Sequence, residues 1–324
     1  MLDMNMRQAI FRMAGPLALS ALCATACHQS PASPSETIKP ESILVQGRTR
    51  TYVLHIPTTF QSGSGALVVA LPGRTQTAEF FQGFTNLNAK ADQEGFAVAY
   101  ADGLFQPASG AVNWAYYRND YVDDVAFLRE LIATLQGRLH ANSGRVFVTG
   151  FSSGGFMAYR AAVEMSDVVA AVGVVGGRLF REEGGASANV PPARGPVSVV
   201  MLQGEFDTPY CGGFETSPLG RAYNASQDET FDYWTGPSAN NCSRFDTIEP
   251  LCRDGRPTAV AAKSATSCRG NTDVTFFKLI GGDHCWYANP MNLAGVVPFN
   301  PHLTATTGLT TNDIIWNFFA AHSR

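Results

Sequence analysis

The chain has 324 residues, of which 45% are hydrophobic and 15% are charged, and its formal net charge is -4. This length and composition allow a sizeable buried core in one domain, whereas the weakly acidic balance offers no basic field to nucleic-acid phosphates or anionic lipids. The sequence contains no internal repeat, no apolar run long enough to span a bilayer, and no P-loop, EF-hand or H-E-x-x-H pattern. We therefore expect no nucleic-acid partner, no membrane span, no metal and no cofactor.

Residues 1–26 follow the plan of a secretory signal, because arginines precede an apolar stretch that ends in Ala-Thr-Ala. We expect this segment to be removed from the mature chain. The Ala-Thr-Ala-Cys sequence that ends at Cys27 resembles a bacterial lipoprotein box, so a secreted chain and an envelope lipoprotein anchored through Cys27 are both open. Residues 27–47, rich in serine and proline as far as Pro40, are expected to form a flexible tether.

From residue 48 onward, short apolar runs alternate with helical patterns. Strands are predicted at 50–57, 66–71, 96–100, 145–149, 168–175, 197–202 and 274–280, and helices at 78–93, from Asp123, after residue 155, and at 313–321. Strands that alternate with helices predict an α/β fold with a mostly parallel central sheet and helices on both faces. We expect one catalytic domain over 48–324, with its ligand at the carboxyl ends of the strands.

A G-x-S-x-G element, residues 150–154, lies between a predicted strand and a predicted helix. A serine at such a strand-to-helix corner exposes its hydroxyl at the top of the sheet, and the tight packing around it requires glycines. Ser152 is therefore the candidate nucleophile. The alternative is a glycine-rich turn without chemistry.

A serine hydroxyl is a weak nucleophile, so it needs a base and an acid that orients the base, and on this fold they follow in the order Ser, acid, His. Of the three histidines after Ser152, only His284 follows a predicted strand and a flexible Gly-Gly pair, so it is the candidate base. Asp207 lies just past a strand end and is the candidate acid, with Glu205 as the second choice. Asp283 would have to fold back on its neighbour, so we interpret it as a turn or capping residue.

The negative charge that develops on the substrate oxygen needs preorganised donors. We expect the backbone N–H of Ser153 to supply one of them, and the loop after strand 66–71 to supply the other. Pro72 has no N–H, which leaves Arg74 or Thr75. The alternative is that this loop is only a tight turn.

Several motifs together resemble the secreted serine esterases grouped as polyhydroxybutyrate depolymerases and feruloyl esterases. They lie at 52–57, 76–78, 124–127, 150–155 and 281–286, and the resemblance covers about residues 48–322. It implies an α/β-hydrolase fold and a triad of Ser152, Asp207 and His284, which agrees with the positional argument. The chain departs from the family at Pro72, where His is common, and this departure bears on the shape of the oxyanion loop.

We expect an exported, monomeric esterase that works through an acyl-enzyme without a cofactor. The first expected substrate is a feruloyl or acetyl ester on plant cell-wall xylan, and the alternative is a hydroxyalkanoate polyester. Trp114, Tyr210 and Trp286 belong to an aromatic group that could contact the substrate, although about half of that group is expected to serve only packing. A rival from another class is a surface binding protein on a hydrolase scaffold that has lost catalysis.

Of the seven cysteines, Cys23 is expected to leave with the signal and Cys27 to be lipidated or terminal. Five then remain in an oxidising compartment, where cysteines form disulfides, and five cannot all pair. If Asp207 and His284 meet, their loops converge, so we expect a disulfide between Cys211 and Cys285. Cys242 and Cys268 flank a loop-rich insertion and are expected to form a second disulfide, with Cys252 left free.

Overall fold

The computed structural model describes residues 39–106, 110–116, 122–179, 190–204, 207, 227–248, 260–279, 284–287 and 309–324. The strands are β1 (Glu41–Val45), β2 (Arg48–His55), β3 (Leu67–Leu71), β4 (Ala97–Ala101), β5 (Leu104–Gln106), β6 (Ala111–Asn113), β7 (Val146–Phe151), β8 (Ala171–Val175), β9 (Ser198–Gly204), β10 (Arg244–Ile248), β11 (Val260–Thr266) and β12 (Val274–Leu279). The helices are α1 (Ala78–Thr85), α2 (Leu87–Glu94), α3 (Asp124–Leu139), α4 (Ser153–Glu164), α5 (Gln227–Thr235) and α6 (Thr311–Ala320), with a 3-10 turn at Arg269–Asn271.

Ten strands form one sheet in the order β1-β2-β4-β3-β7-β8-β9-β12-β11-β10, and β5 pairs with β6 in a separate hairpin. The six central strands of this order, β4, β3, β7, β8, β9 and β12, are parallel to one another. The two strands at each edge pair antiparallel. The predicted α/β fold with a mostly parallel sheet is therefore confirmed.

Successive side chains of the central strands point to opposite faces, and each face carries its own core. Leu67 and Val69 of β3 belong to a cluster with α3, α4 and α5, whereas Val68 and Ala70 belong to a second cluster with α1, α2 and α6. Every residue of β3 is buried, as expected for a strand covered on both faces. The helices thus lie on both faces of the sheet. The carboxyl ends of the parallel strands all lie at the same end of the sheet.

The ordered domain begins before residue 48, which corrects the expected extent of the tether. β1 pairs antiparallel with β2, and its side chains alternate between half-buried and exposed positions. Ile43 and Val45 pack on the core beneath α3, and Glu41 forms an ion pair with Arg138. The serine and proline bias that predicted the tether ends at Pro40, so the strand occupies the part of the segment whose residues can be buried.

Two further elements differ from the sequence-based prediction. The helix expected over 78–93 is two helices, because Asn86 adopts a left-handed conformation with φ of 50° and ends α1. The insertion expected to be rich in loops contains the antiparallel pair of β10 and β11. Within the described ranges, no helix is long and apolar enough to cross a membrane.

Candidate active site

Ser152 occupies the corner between β7 and α4. Its backbone has φ of 54° and ψ of -121°, a conformation that costs a residue with a side chain on the order of 1–3 kcal/mol. The Ser152 N–H donates to the Val175 carbonyl at 2.9 Å, and the Ser152 carbonyl accepts from Gly155 N at 2.9 Å and Phe156 N at 3.1 Å. The sheet on one side and the helix on the other therefore hold the strained corner in place.

The first turn of α4 packs directly against the end of β3. A Cβ atom at Gly154 would lie 2.0 Å from the Leu71 carbonyl oxygen and 2.5 Å from that of Pro72, so only glycine fits there. This close approach places the N-terminus of α4 beside the loop that follows β3. Ser153 is the first residue of α4, and its N–H belongs to the first-turn amides that have no intrahelical acceptor.

Asp207 and His284 are in direct contact. Asp207 Oδ2 lies 2.9 Å from His284 Nδ1, and the Asp207 side chain is fully buried whereas that of His284 is 22% exposed. An ionised carboxylate only accepts hydrogen bonds, so Nδ1 carries the hydrogen and Nε2 is left as the acceptor of the ring. This is the tautomer that a general base toward a hydroxyl requires.

The carboxylate of Asp207 has a second donor that the sequence did not reveal. Gln203, near the end of β9, donates from Nε2 to Asp207 Oδ2, and Gln227 Nε2 donates to Gln203 Oε1 at 2.6 Å. The amide of Gln203 is thus oriented from both ends. A glutamine at the carboxyl end of the strand before a candidate acid is the signal that could have indicated it.

The Asp207–His284 pair lies beside the serine corner. The His284 ring centroid is 4.8 Å from that of Phe151, the residue before Ser152. Gly176 follows β8, and a Cβ atom there would lie 3.0 Å from His284 Nδ1 and 3.5 Å from Asp207 Oδ2. The structure therefore joins Asp207 to His284 and places the His284 ring against the residue before Ser152, at the carboxyl ends of β7, β9 and β12. Glu205 and Asp283 lie outside the described residues.

The loop after β3 is hydrogen-bonded in a way that narrows the choice of oxyanion donors. The Thr75 N–H donates to the Val112 carbonyl of β6 at 2.9 Å, and Thr75 has φ of 69°. This amide is already engaged, so the prediction that it serves as a donor is wrong for this conformation. Of the two residues proposed for the second donor, Arg74 stays the prediction.

Trp114 braces this loop from inside the protein. Its Nε1–H donates to the Pro72 carbonyl at 2.8 Å, and the residue after it, Ala115, donates its N–H to Asp124 Oδ2 at 2.7 Å. Asp124 in turn forms a buried ion pair with Arg50 at 2.6 Å. Burial raises the pKa of Asp124, and the charge of Arg50 and the Ala115 N–H oppose that rise.

The two tryptophans expected to contact the substrate are packing residues. Trp114 and Trp286 are each 1% exposed, and Trp286 donates its Nε1–H to Asn312 Oδ1 at 2.9 Å. Each indole N–H is satisfied inside the protein, so neither ring faces an open acyl site. Tyr210 lies outside the described residues.

The disulfide between Cys242 and Cys268 is present and joins the segments that flank β10 and β11. Cys285 is also disulfide-bonded, to a cysteine outside the described residues. Its pairing with Cys211 stays a prediction, and Cys27 and Cys252 also lie outside the described part. Among the residues that the structure describes, no group of His, Cys, Asp and Glu side chains could hold a metal ion.

Comparison with known proteins gives consistent similarities. Residues 50–200 match the sequence model of the family described as "Esterase PHB depolymerase". The chain is 30% identical over 304 residues to "Putative esterase NocK" of Nocardia uniformis subsp. tsuyamanensis. The aligned region covers 87% of this chain and 82% of that protein. It is 28% identical over 196 residues to feruloyl esterase B of Piromyces equi, covering 59% of this chain and 34% of that protein.

The fold is similar to that of a solved structure. An acetyl xylan esterase from Aspergillus awamori superposes with a TM-score of 0.50 at 16% identity, and the match covers 76% of this chain and 94% of that one. At this identity the likeness establishes the α/β-hydrolase fold alone.

Proposed function

The chain belongs to the PHB depolymerase family of esterases, and we propose that it hydrolyses carboxylic esters through an acyl-enzyme on Ser152. The observation that carries the proposal is the 2.9 Å contact between Asp207 and His284 beside the strained corner at Ser152. Nucleophile, base and orienting acid are the groups that such a reaction needs, in the chain order of this fold.

In the first half of the reaction, His284 Nε2 takes the proton of Ser152 as its oxygen attacks the ester carbonyl carbon. The negative charge on the carbonyl oxygen is held by the N–H of Ser153 and a second backbone donor, for which Arg74 is the candidate. The bond to the alcohol oxygen then breaks, and His284 returns the proton to the leaving alcohol. Asp207 stabilises the imidazolium and keeps it oriented.

In the second half, water attacks the acyl-enzyme. His284 takes a proton from the water, the bond between Ser152 and the acyl carbon breaks, and the proton passes to the serine oxygen. The products are a carboxylic acid and an alcohol, and the protein is restored without a cofactor.

We propose feruloyl or acetyl esters on xylan as the substrate class. Support comes from the 28% identity to feruloyl esterase B, a relative whose name states that activity. A hydroxyalkanoate polyester is the second candidate, and the name of the matching family favours it. A protein that only binds such molecules is the rival from another class, and Ser152 distinguishes it, because binding alone does not need a strained serine corner.

We also propose that the protein is exported, either secreted or anchored through Cys27. The disulfide between Cys242 and Cys268 supports this, because such bonds persist in oxidising compartments. Mass spectrometry of the N-terminal peptide should find the mature chain beginning at or near Cys27, with or without diacylglycerol. A chain that begins at Met1 in purified envelope or culture fluid would contradict export.

The function is tested by measuring hydrolysis of methyl ferulate, acetylated xylan, short p-nitrophenyl esters and hydroxybutyrate oligomers. Ser152→Ala should abolish every activity that the wild-type chain shows, because loss of the nucleophile costs several orders of magnitude. Ser64→Ala, at an exposed turn, is the matched control and should leave the rates unchanged. Wild-type rates of hydrolysis in Ser152→Ala would contradict an acyl-enzyme mechanism on Ser152.

A further inference from the structure

Helix α1 carries two phenylalanines that the fold does not bury completely. Phe80 and Phe84 are four residues apart and stack with their ring centroids 5.7 Å apart and an interplanar angle of 18°. Phe80 is 55% exposed and Phe84 is half-buried, whereas Phe81 between them is fully buried against Tyr100 and Trp286. Phe81 therefore anchors the helix to the core, and the Phe80 ring is left on the surface.

These rings continue inward to the candidate active site. The Phe84 ring lies 5.5 Å from that of Phe151, and the Phe151 ring lies 4.8 Å from that of His284. Phe80, Phe84 and Phe151, which we call the aromatic ladder, thus form an unbroken row from the surface to the candidate base. Each spacing lies in the range of about 4.5–7 Å at which aromatic rings attract one another.

Core packing accounts for only part of the ladder. Phe151 is buried and packs in the core cluster of α1, α2 and α6, but an aromatic ring that is 55% exposed gains little from folding. Single exposed apolar residues are common and need no explanation. An exposed ring that continues an aromatic row from a candidate base is different, because such a row offers an aromatic ligand stacking partners near the catalytic group.

We propose that the aromatic ladder binds the aromatic group of the ester and so sets the substrate preference; this inference rests on the proposed function. An acetyl group extends only one carbon beyond the carbonyl carbon and has no ring that could stack on Phe84. A cinnamoyl group carries its ring two carbons further, and a naphthyl alcohol carries its rings on the other side of the ester oxygen. Either ring can stack on Phe84 and Phe80, so the ladder selects esters with an aromatic part.

The test compares Phe84→Ala and Phe80→Ala with wild type on methyl ferulate, 2-naphthyl acetate and methyl acetate. Loss of one ring contact should raise KM for the aromatic ester by about two- to tenfold, with the larger effect for Phe84→Ala. The rates on methyl acetate should change less than those on the aromatic ester, because methyl acetate has no ring to stack on the ladder. A KM rise for methyl ferulate would show that the ladder contacts the acyl part of the ester. A KM rise for 2-naphthyl acetate would show that it contacts the alcohol part. Unchanged KM for both aromatic esters would overturn the proposal.

Phe245→Ala is the matched control, because Phe245 is 56% exposed on β10, away from the row of rings. It should not change KM for any ester. Phe84→Leu keeps the apolar bulk and removes the ring, so it replaces Phe84→Ala if the alanine variant unfolds. An equal KM rise in Phe245→Ala would show a non-specific effect and would also overturn the proposal.

A binding measurement separates this inference from the proposed function. Titration calorimetry of methyl ferulate and 2-naphthyl acetate into Ser152→Ala reports affinity whether or not the wild-type chain hydrolyses esters. Combining Ser152→Ala with Phe84→Leu should weaken binding of one of them by about two- to tenfold. Equal affinities would contradict the ladder even if the wild type is an active esterase, and weakened binding would support it even if hydrolysis is not found.

Discussion

The indole of Trp114 donates a hydrogen bond of 2.8 Å to the carbonyl of Pro72, the first residue of the loop expected to hold the oxyanion. Pro72 lacks an N–H and stands where related esterases commonly have histidine, so the loop is fixed through the proline carbonyl. The same loop is bonded to the β5–β6 hairpin through the Thr75 N–H. A buried side chain and a small hairpin therefore orient the loop that we propose supplies a backbone donor to the oxyanion.

We expect Trp114→Phe to lower kcat about tenfold and leave KM within about twofold, because removing the donor leaves a buried carbonyl unsatisfied, which costs roughly 1–3 kcal/mol. The loop would relax away from the geometry that the transition state needs, while ground-state binding persists. Steady-state kinetics on a p-nitrophenyl ester measures both constants. Trp316→Phe, a buried tryptophan on α6 stacked on Phe96, is the control and should affect only the melting temperature.

His284→Ala should reduce kcat as severely as loss of Ser152, and Asp207→Asn somewhat less, by roughly 10³–10⁴-fold, since an asparagine no longer fixes the reactive tautomer. Steady-state kinetics on a p-nitrophenyl ester measures both losses. If Glu205→Gln is the damaging change instead, the acid has been misassigned.

The sequence predicts the central sheet and the serine corner well, because both are local patterns. Fully buried parallel strands such as β3 are continuous apolar runs, and the G-x-S-x-G element requires glycines wherever helix and strand pack this closely. The Asp207–His284 contact could be predicted from chain order, since both residues follow parallel strands whose carboxyl ends lie at the same end of the sheet.

Other features depend on long-range partners that no local pattern specifies. The exception is β1, which pairs with the next strand across the turn at Gln46 and Gly47 and whose residues 41–45 carry a local alternating pattern. The tryptophans look like substrate contacts until their indole hydrogens are found bonded to Pro72 and Asn312. The Thr75 amide is unavailable because a hairpin more than thirty residues away accepts its hydrogen. Aromatic residues and loop amides have several uses, and tertiary contacts decide among them.

The attachment of β1 should depend on pH. The hydrogen bond with Arg138 lowers the pKa of Glu41 below its ordinary value, and the Tyr52 hydroxyl also donates to this carboxylate at 2.9 Å. Because the folded-state pKa is depressed, the interaction stabilises the fold above the unfolded pKa of Glu41 and is lost as pH falls through the folded value. Acidification should therefore release β1.

Hydrogen exchange of the β1 amides measures this release. Opening in the wild type should increase toward pH 4 and below, after correction for the intrinsic exchange rate. In Glu41→Gln the amides should open more at neutral pH, and the extra opening on acidification should disappear. Glu130→Gln, at an exposed position on α3, is the control and should behave like the wild type. An unchanged profile in Glu41→Gln would show that the carboxylate does not hold the strand.

The disulfide at Cys285 should protect catalysis more than stability. Cys285 follows His284 directly, so a bridge to Cys211 would connect the loop of the base to that of the acid. Cys285→Ser should therefore lower kcat more than its effect on the melting temperature suggests, and Cys268→Ser should mainly lower the melting temperature. Non-reducing peptide mapping identifies the partner, and a link from Cys285 to Cys252 would defeat the pairing.

Gly176 makes the candidate site sensitive to substitution at a residue that takes no part in proton transfer. It has φ of 61°, and the smallest side chain there would lie 3.0 Å from two atoms of the His284 ring. Random mutagenesis of residue 176 should therefore yield folded but inactive chains that a screen for soluble expression would pass. The residue aligned with Gly176 can therefore help to separate active from inactive relatives, even where the serine, aspartate and histidine are all retained.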